Sequence, residues 1–139
     1  MKDAIFKKLE HQYIDYNIFM NGQQLAPGYK PDLVLKKGSE YVILESEHGS
    51  SRKHFLGGLI KAAKFLSDNN FGILVFVILL RDNTNEVQIS NHLGQYLKWI
   101  KSLTNLEEIY VISDVNYCPG KNPLEICGTE FLNVAERVT

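Results

Sequence analysis

The sequence predicts an α/β domain, a mixed β-sheet flanked by helices, with elements in the order α-β-β-α-β-α-β. Three observations predict it. Two β-rich runs, Asp32–Lys36 and Tyr41–Glu47, stand on either side of the turn-like Lys37-Gly38-Ser39-Glu40 and read as a hairpin. Phe71–Leu80 is a nearly unbroken apolar run of ten residues, the pattern of a strand covered on both faces. Helical periodicity precedes and follows that run, so helices connect the strands.

Taken in order, residues 3–16 carry Ile5, Leu9, Tyr13 and Tyr16 at helical spacing and predict a first amphipathic helix. Asn21-Gly22 and Pro27-Gly28 mark irregular chain before the hairpin. After Gly49-Ser50-Ser51, a loop with a natural N-cap, Phe55, Leu56, Leu59, Ile60, Ala63 and Leu66 predict a second helix reaching Asp68, stopped by Asn69-Asn70. The strand Phe71–Leu80 leads into a polar turn, Asp82–Asn85. A third helix is predicted over Val87–Leu103, from Ile89, Leu93, Tyr96, Leu97 and Ile100. Glu108–Ser113 reads as a short strand, and Leu124–Cys127 as an edge strand beyond the breakers Pro119-Gly120 and Asn122-Pro123.

With 139 residues, 45% of them hydrophobic, the chain has the length of a single domain, 1–139, able to bury a core. No signal-peptide h-region is visible near Met1, and the longest apolar run is half of what a membrane-spanning helix needs. A soluble, cytoplasmic protein with no membrane partner is expected. Cys118 and Cys127 form no CxxC and have no nearby His, which argues against a zinc site or a disulfide framework. The net charge of −1 hides an uneven distribution. Lys30–Lys64 holds seven Lys or Arg against four acids, whereas residues 65–139 hold five bases against nine acids. Such asymmetry suits a protein presenting one face to a polyanion, although scattered solvated lysines give the same count.

Three of the four acids in the basic stretch are Asp32, Glu45 and Glu47, all in the apolar hairpin. Alternation puts Glu45 and Glu47 on one face, and an even-length connection brings Asp32 to the same face. Two registers are open: with a four-residue loop Asp32 sits opposite Glu45, and with a two-residue loop it sits opposite Ile43 and diagonal to Glu45. Directly opposed Cβ atoms lie roughly 4.5–5.5 Å apart, close enough for two carboxylates to converge on one small ion. Without a cation such like charges repel, and one takes up a proton. Hard oxygen ligands with no Cys or His pair point to Mg2+ or Mn2+.

Pro31-Asp32, followed after the turn by Glu45-Ser46-Glu47 and a helix, resembles the PD-(D/E)xK nuclease superfamily, whose restriction-endonuclease-like core has the element order read here over residues 3 to 114. The chain departs from the family pattern at Glu47, which stands where lysine is usual. That ExE variation is found in some type II restriction endonucleases and in small cleavage subunits. The resemblance implies a Mg2+-dependent endodeoxyribonuclease, with Mn2+ able to substitute. Asp32, Glu45 and the Ser46 carbonyl would hold the ion, and Glu47 would act as a general base or as a ligand to a second ion. It further implies DNA as partner, with a second copy or a separate recognition subunit.

Around these acids, Lys53 and Lys61 are candidates for the missing cation, and Glu10 for a further acid. Arg52, Lys53, Lys61 and Lys64 are the candidate phosphate contacts, while His48 and, for stacking on bases, Tyr13, Tyr16, Tyr29 and Tyr41 are weaker candidates whose default is a loop or core role. Gly57-Gly58 within a helix costs about 1 kcal/mol per glycine, which close packing on the sheet or approach of a nucleic-acid backbone would offset. Two rival readings accompany this one: a nuclease-like module that binds DNA or protein without cleaving, and an α/β binding domain with a structural cation site.

Overall fold

The computed structural model describes residues 2–49, 51–79 and 84–139. Its elements are α1 (Asp3–Phe6), β1 (Asn17–Met20), β2 (Leu33–Lys37), β3 (Glu40–Glu47), α2 (Arg52–Phe65), β4 (Phe71–Ile78), α3 (Glu86–Leu103), β5 (Leu106–Ser113), α4 (Asp114–Tyr117), α5 (Thr129–Val134) and β6 (Glu136–Arg137). The strands form one mixed six-stranded sheet in chain order, β1-β2-β3-β4-β5-β6. β3, β4 and β5 run parallel, and β1, β2 and β6 pair antiparallel at the edges. The α/β class read from the sequence therefore holds, with more elements than expected.

Two cores lie on opposite faces of the sheet. The parallel connections β3–α2–β4 and β4–α3–β5 step in the same direction, and crossovers of one hand put both helices on one side. There Phe55, Leu59, Leu93 and Leu97 cover Ile43, Leu74, Phe76 and Val111. The opposite core joins Leu35, Leu44, Val75 and Ile112 to Phe6, Tyr117 and Phe131, contributed by the short α1, α4 and α5. Apart from Phe71, every residue of β4 is buried, as its apolar run predicts for the sheet's centre.

The hairpin takes the first of the two registers, but with a two-residue turn and not the four-residue loop expected for it, because Lys37 and Glu40 pair as the last rung of the ladder. Leu33 pairs with Leu44 and Lys37 with Glu40, so the turn is the two residues Gly38-Ser39 and the register continues to Asp32 opposite Glu45. Gly38 supplies the left-handed backbone that so tight a turn needs (φ 60°). α2 and α3 lie close to their expected limits, and the Asn85 side chain caps α3 by accepting the Gln88 N–H at 2.9 Å. The predicted turn residues Asp82 and Asn83, with Ser50 and Leu80, lie outside the described residues.

The predicted helix over 3–16 is replaced by a single turn, α1. His11 donates from Nε2 to the Phe6 carbonyl and accepts the Tyr117 hydroxyl at Nδ1, each at 2.6 Å, while Asp15 adopts a left-handed φ of 68°. These contacts bend the chain, so Leu9, Tyr13 and Tyr16 reach the lower core from irregular backbone and not from a helix face. β1 follows, unforeseen because its Ile18 and Phe19 are exposed and show no alternation. The expected edge strand Leu124–Cys127 is also absent: Cys127 sits at φ 60° in a turn, and the edge is β6.

Three glycines separate packing from openness. A Cβ on Gly72 would lie 2.0 Å from the Tyr41 carbonyl oxygen on β3, and one on Gly58 would press the Phe76 ring at 3.1 Å, whereas one on Gly57 would meet nothing within 4 Å. Close packing thus accounts for Gly58 and leaves Gly57 free of it. Gly72→Ala is expected to destabilise the protein by about 3 kcal/mol or more. Gly57→Ala should stabilise it by up to about 1 kcal/mol. Thermal unfolding of both variants checks the contrast.

Candidate functional site

The end of the β2–β3 hairpin builds the site. Ile43, Glu45 and Glu47 alternate onto the α2 face of the sheet, while Ser46 and His48 point to the α1 face. Glu45 and Glu47 open into a cleft of about 460 Å³ between the hairpin and the first turns of α2. Lys53, His54 and Lys61 line it from α2, with the Gly57-Gly58 backbone between them, and Tyr29 and Lys30 close it from the irregular segment before β2. Of the candidate cations, Lys53 and Lys61 are therefore both brought to the acids. Lys64 lies one helical turn beyond Lys61 in an adjoining hollow, and Arg52 begins α2.

Asp32 and Glu45 are bound together by backbone groups. The Asp32 N–H donates to Glu45 Oε1 at 3.2 Å, and the Ser46 N–H donates to Asp32 Oδ2 at 2.7 Å. The Leu79 N–H donates to the Glu47 carbonyl, so by strand alternation the Ser46 carbonyl points the other way, to the side where its own N–H meets Asp32. Two carboxylates and one carbonyl thus share the mouth of the hairpin. Glu47 accepts the Gly49 N–H at 3.1 Å. On the α1 face, Lys7 Nζ lies 3.9 Å from Asp32 Oδ1, and His48 lies 3.5 Å from both Asp3 Oδ1 and Ser46 Oγ.

These surroundings disfavour negative charge. Burial, then the charge of Asp32, pushes the Glu45 carboxyl from an ordinary 4.5 up to about 8, with Lys61 pulling weakly the other way. Asp32 is also raised, chiefly by burial, against the opposing hydrogen bond from Ser46. Burial of the two acids thus outweighs the pull of the nearby lysines. No group of three or more His, Cys, Asp or Glu side chains stands close enough together to hold a metal among the described residues. A two-carboxylate set nonetheless suits Mg2+, which is held by one or two protein carboxylates and keeps water or phosphate oxygens in its other positions. Asp32, Glu45 and the Ser46 carbonyl, all hard oxygens, fit that donor chemistry.

Glu10 is exposed and does not line the cleft, because the helix that would have carried it there ends at Phe6. Tyr13 and Tyr16 stack on each other beside Glu40, away from the acids, and Tyr41 is a core residue. Lys7, Lys30 and His54 were not singled out by sequence reasoning as site residues, whereas Tyr29 was one of four tyrosines considered for stacking on bases. Lys7 falls within the helix expected over residues 3–16, Tyr29 sits in a stretch without strand or helix periodicity, and His54 carries no signal beyond its position one turn before Gly58. Comparison of the chain with family models, with curated proteins and with solved structures gives no match.

The raised Glu45 carboxyl has a pH signature. Between about 4.5 and 8 the folded protein holds a proton that the unfolded chain has released. Stability without metal should therefore be highest at the acid end of that window and fall as pH rises through it. Glu45→Gln should flatten this slope. Thermal unfolding in chelator at several pH values checks both, and a parent protein that gains stability from pH 5 to 8 by way of Glu45 would contradict the burial argument.

Proposed function

We propose that the protein is a Mg2+-dependent endodeoxyribonuclease of the PD-(D/E)xK type, able to use Mn2+, with Asp32, Glu45 and Glu47 as its working acids. The observation that carries the reading is the pairing of Asp32 with Glu45 across the hairpin mouth, Glu45 opening into the cleft that Lys53 and Lys61 face. Asp32, Glu45 and the Ser46 carbonyl would hold the ion. When bound, the ion supplies Lewis acidity toward the phosphoryl oxygens and lowers the pKa of water, the chemistry phosphodiester hydrolysis needs.

The chain's own groups divide the remaining work. To hold the ion Glu45 would give up its proton, so binding would be favoured by rising pH. Glu47, in the same cleft and one strand repeat further out, accepts the proton of the attacking water. Lys61, the cation whose charge already reaches Glu45, neutralises the scissile phosphate in place of the usual motif lysine. Lys53, with Arg52 at the start of α2 and Lys64 beyond Lys61, contacts flanking phosphates. Gly57 leaves the cleft wall bare where the strand passes. One such centre cuts one phosphodiester, so cleavage of both strands requires a second copy of the chain or a recognition subunit.

Purified protein mixed with supercoiled plasmid and Mg2+ should nick it, slowly and with little sequence preference. Asp32→Ala and Glu45→Ala should each lower the rate by roughly a hundredfold or more. Glu47→Gln should lower turnover with little change in DNA affinity. Asp32→Ala leaves the Ser46 N–H without its partner, at a stability loss of about 1 kcal/mol, so its melting temperature is read alongside. Binding should weaken steeply with salt. Parent-like cleavage by either alanine variant would remove these acids from the mechanism, and DNA binding without cleavage in any divalent ion would make the protein a binding module.

A further inference from the structure

Tyr29 is 4% exposed, yet its hydroxyl has no hydrogen-bond partner among the described residues. A buried orphan hydroxyl is costly unless a ligand completes it. Tyr29 lines the catalytic cleft and also an adjoining hollow of about 300 Å³, and Lys61 is likewise common to both. Burial is the chief reason its hydroxyl resists ionisation, followed by the charges of Glu45 and Asp32, so the group sits near the acids.

The hollow differs from the cleft in chemistry. Ala26, Pro27 and Phe65 give it apolar walls, and Ser67, Asp68 and Asn70 give it a polar rim. The Phe65 ring is fixed edge-on to Tyr41, with centroids 4.9 Å apart. Lys61 and Lys64 follow its side of α2 at i and i+3, a spacing of roughly 5–6 Å between Cβ atoms. An apolar wall, a polar rim and two adjacent cations match a nucleotide: a base against the wall, its edge at the rim, its phosphates on the lysines. The volume suits one nucleoside and is far too small for a base pair held in a double helix.

Resting on the nuclease reading above, we infer that the cleft and the hollow form one site for a single-stranded segment, in which the nucleotide next to the scissile phosphate turns its base into the hollow and Tyr29 donates its hydroxyl to the intervening phosphate. The substrate class is then unpaired DNA, a flap, a gap or a melted stretch, and duplex is cut where it opens.

The test measures binding of a labelled single-stranded oligodeoxynucleotide and of its duplex in calcium, by fluorescence anisotropy, with cleavage of both in Mg2+ followed in parallel. The parent should bind the single strand roughly tenfold more tightly. Ala26→Trp, which fills the hollow, should abolish that preference and slow cleavage of single strand and plasmid alike, while its melting temperature stays near the parent's. Tyr29→Phe, which needs no repacking, should raise the melting temperature by about 2 °C or more and yet weaken single-strand binding severalfold. A hydroxyl with a merely structural role would lower the melting temperature and leave binding unchanged. Equal affinity for both DNA forms, unaltered in the two variants, overturns the inference while plasmid cleavage upholds the nuclease reading. A parent that neither binds nor cuts DNA overturns both.

Discussion

Burial of the Glu45 carboxyl beside Asp32 organises the molecule's functional end, and the hairpin register makes it unavoidable. Side chains alternate along β3, so a slip of one residue would send Glu45 and Glu47 to the α1 face and Ile43 out of the upper core. The turn at Gly38-Ser39 and the apolar pairs Leu33–Leu44 and Val34–Ile43 hold the register from its far end. Core packing thus fixes the position of the acids. The carboxylates are carried along at the open end of strands whose other residues must be inside.

That placement is electrostatically unfavourable for the free protein. Glu45 lies among groups that raise its pKa, and the Ser46 N–H has to be lent to Asp32 to hold the second carboxylate in place. Nearby positive charge comes from long, flexible side chains: Lys61 on the α2 side and Lys7 on the α1 side, the latter no closer than 3.9 Å. Strain of this kind collects at sites whose stabilising partner arrives as a ligand. The open face of α2 has the same character, with the Cβ position of Gly57 empty and the buried hydroxyl of Tyr29, which lines the same cleft, without a partner among the described residues.

The legible part of the sequence was the part governed by periodicity. α2 and α3 carry helical patterns because each buries one face, β2 to β5 carry apolar runs because the sheet is covered on both faces, and the acids were found because they interrupt such a run. Lys53 and Lys61 followed from helical spacing on α2. What failed had contacts that periodicity does not encode. Leu9, Tyr13 and Tyr16 imitate a helix face although the His11–Phe6 bond and the left-handed Asp15 break the chain, and Glu10 went astray with them. β6, two residues long, pairs through its backbone and leaves no side-chain pattern. Tyr29 was read as one tyrosine among several, since burial without a partner is a property of the fold and not of the residue.

On the proposed reading the hairpin mouth holds a divalent ion. The most direct measurement is anomalous scattering from crystals soaked in Mn2+. A single ordered ion touching Asp32, Glu45 and the Ser46 carbonyl, and lost in Glu45→Gln, is the predicted result. Crystals that show Asp32 and Glu45 still joined through their present hydrogen bonds at saturating Mn2+, with no ion between them, would contradict it.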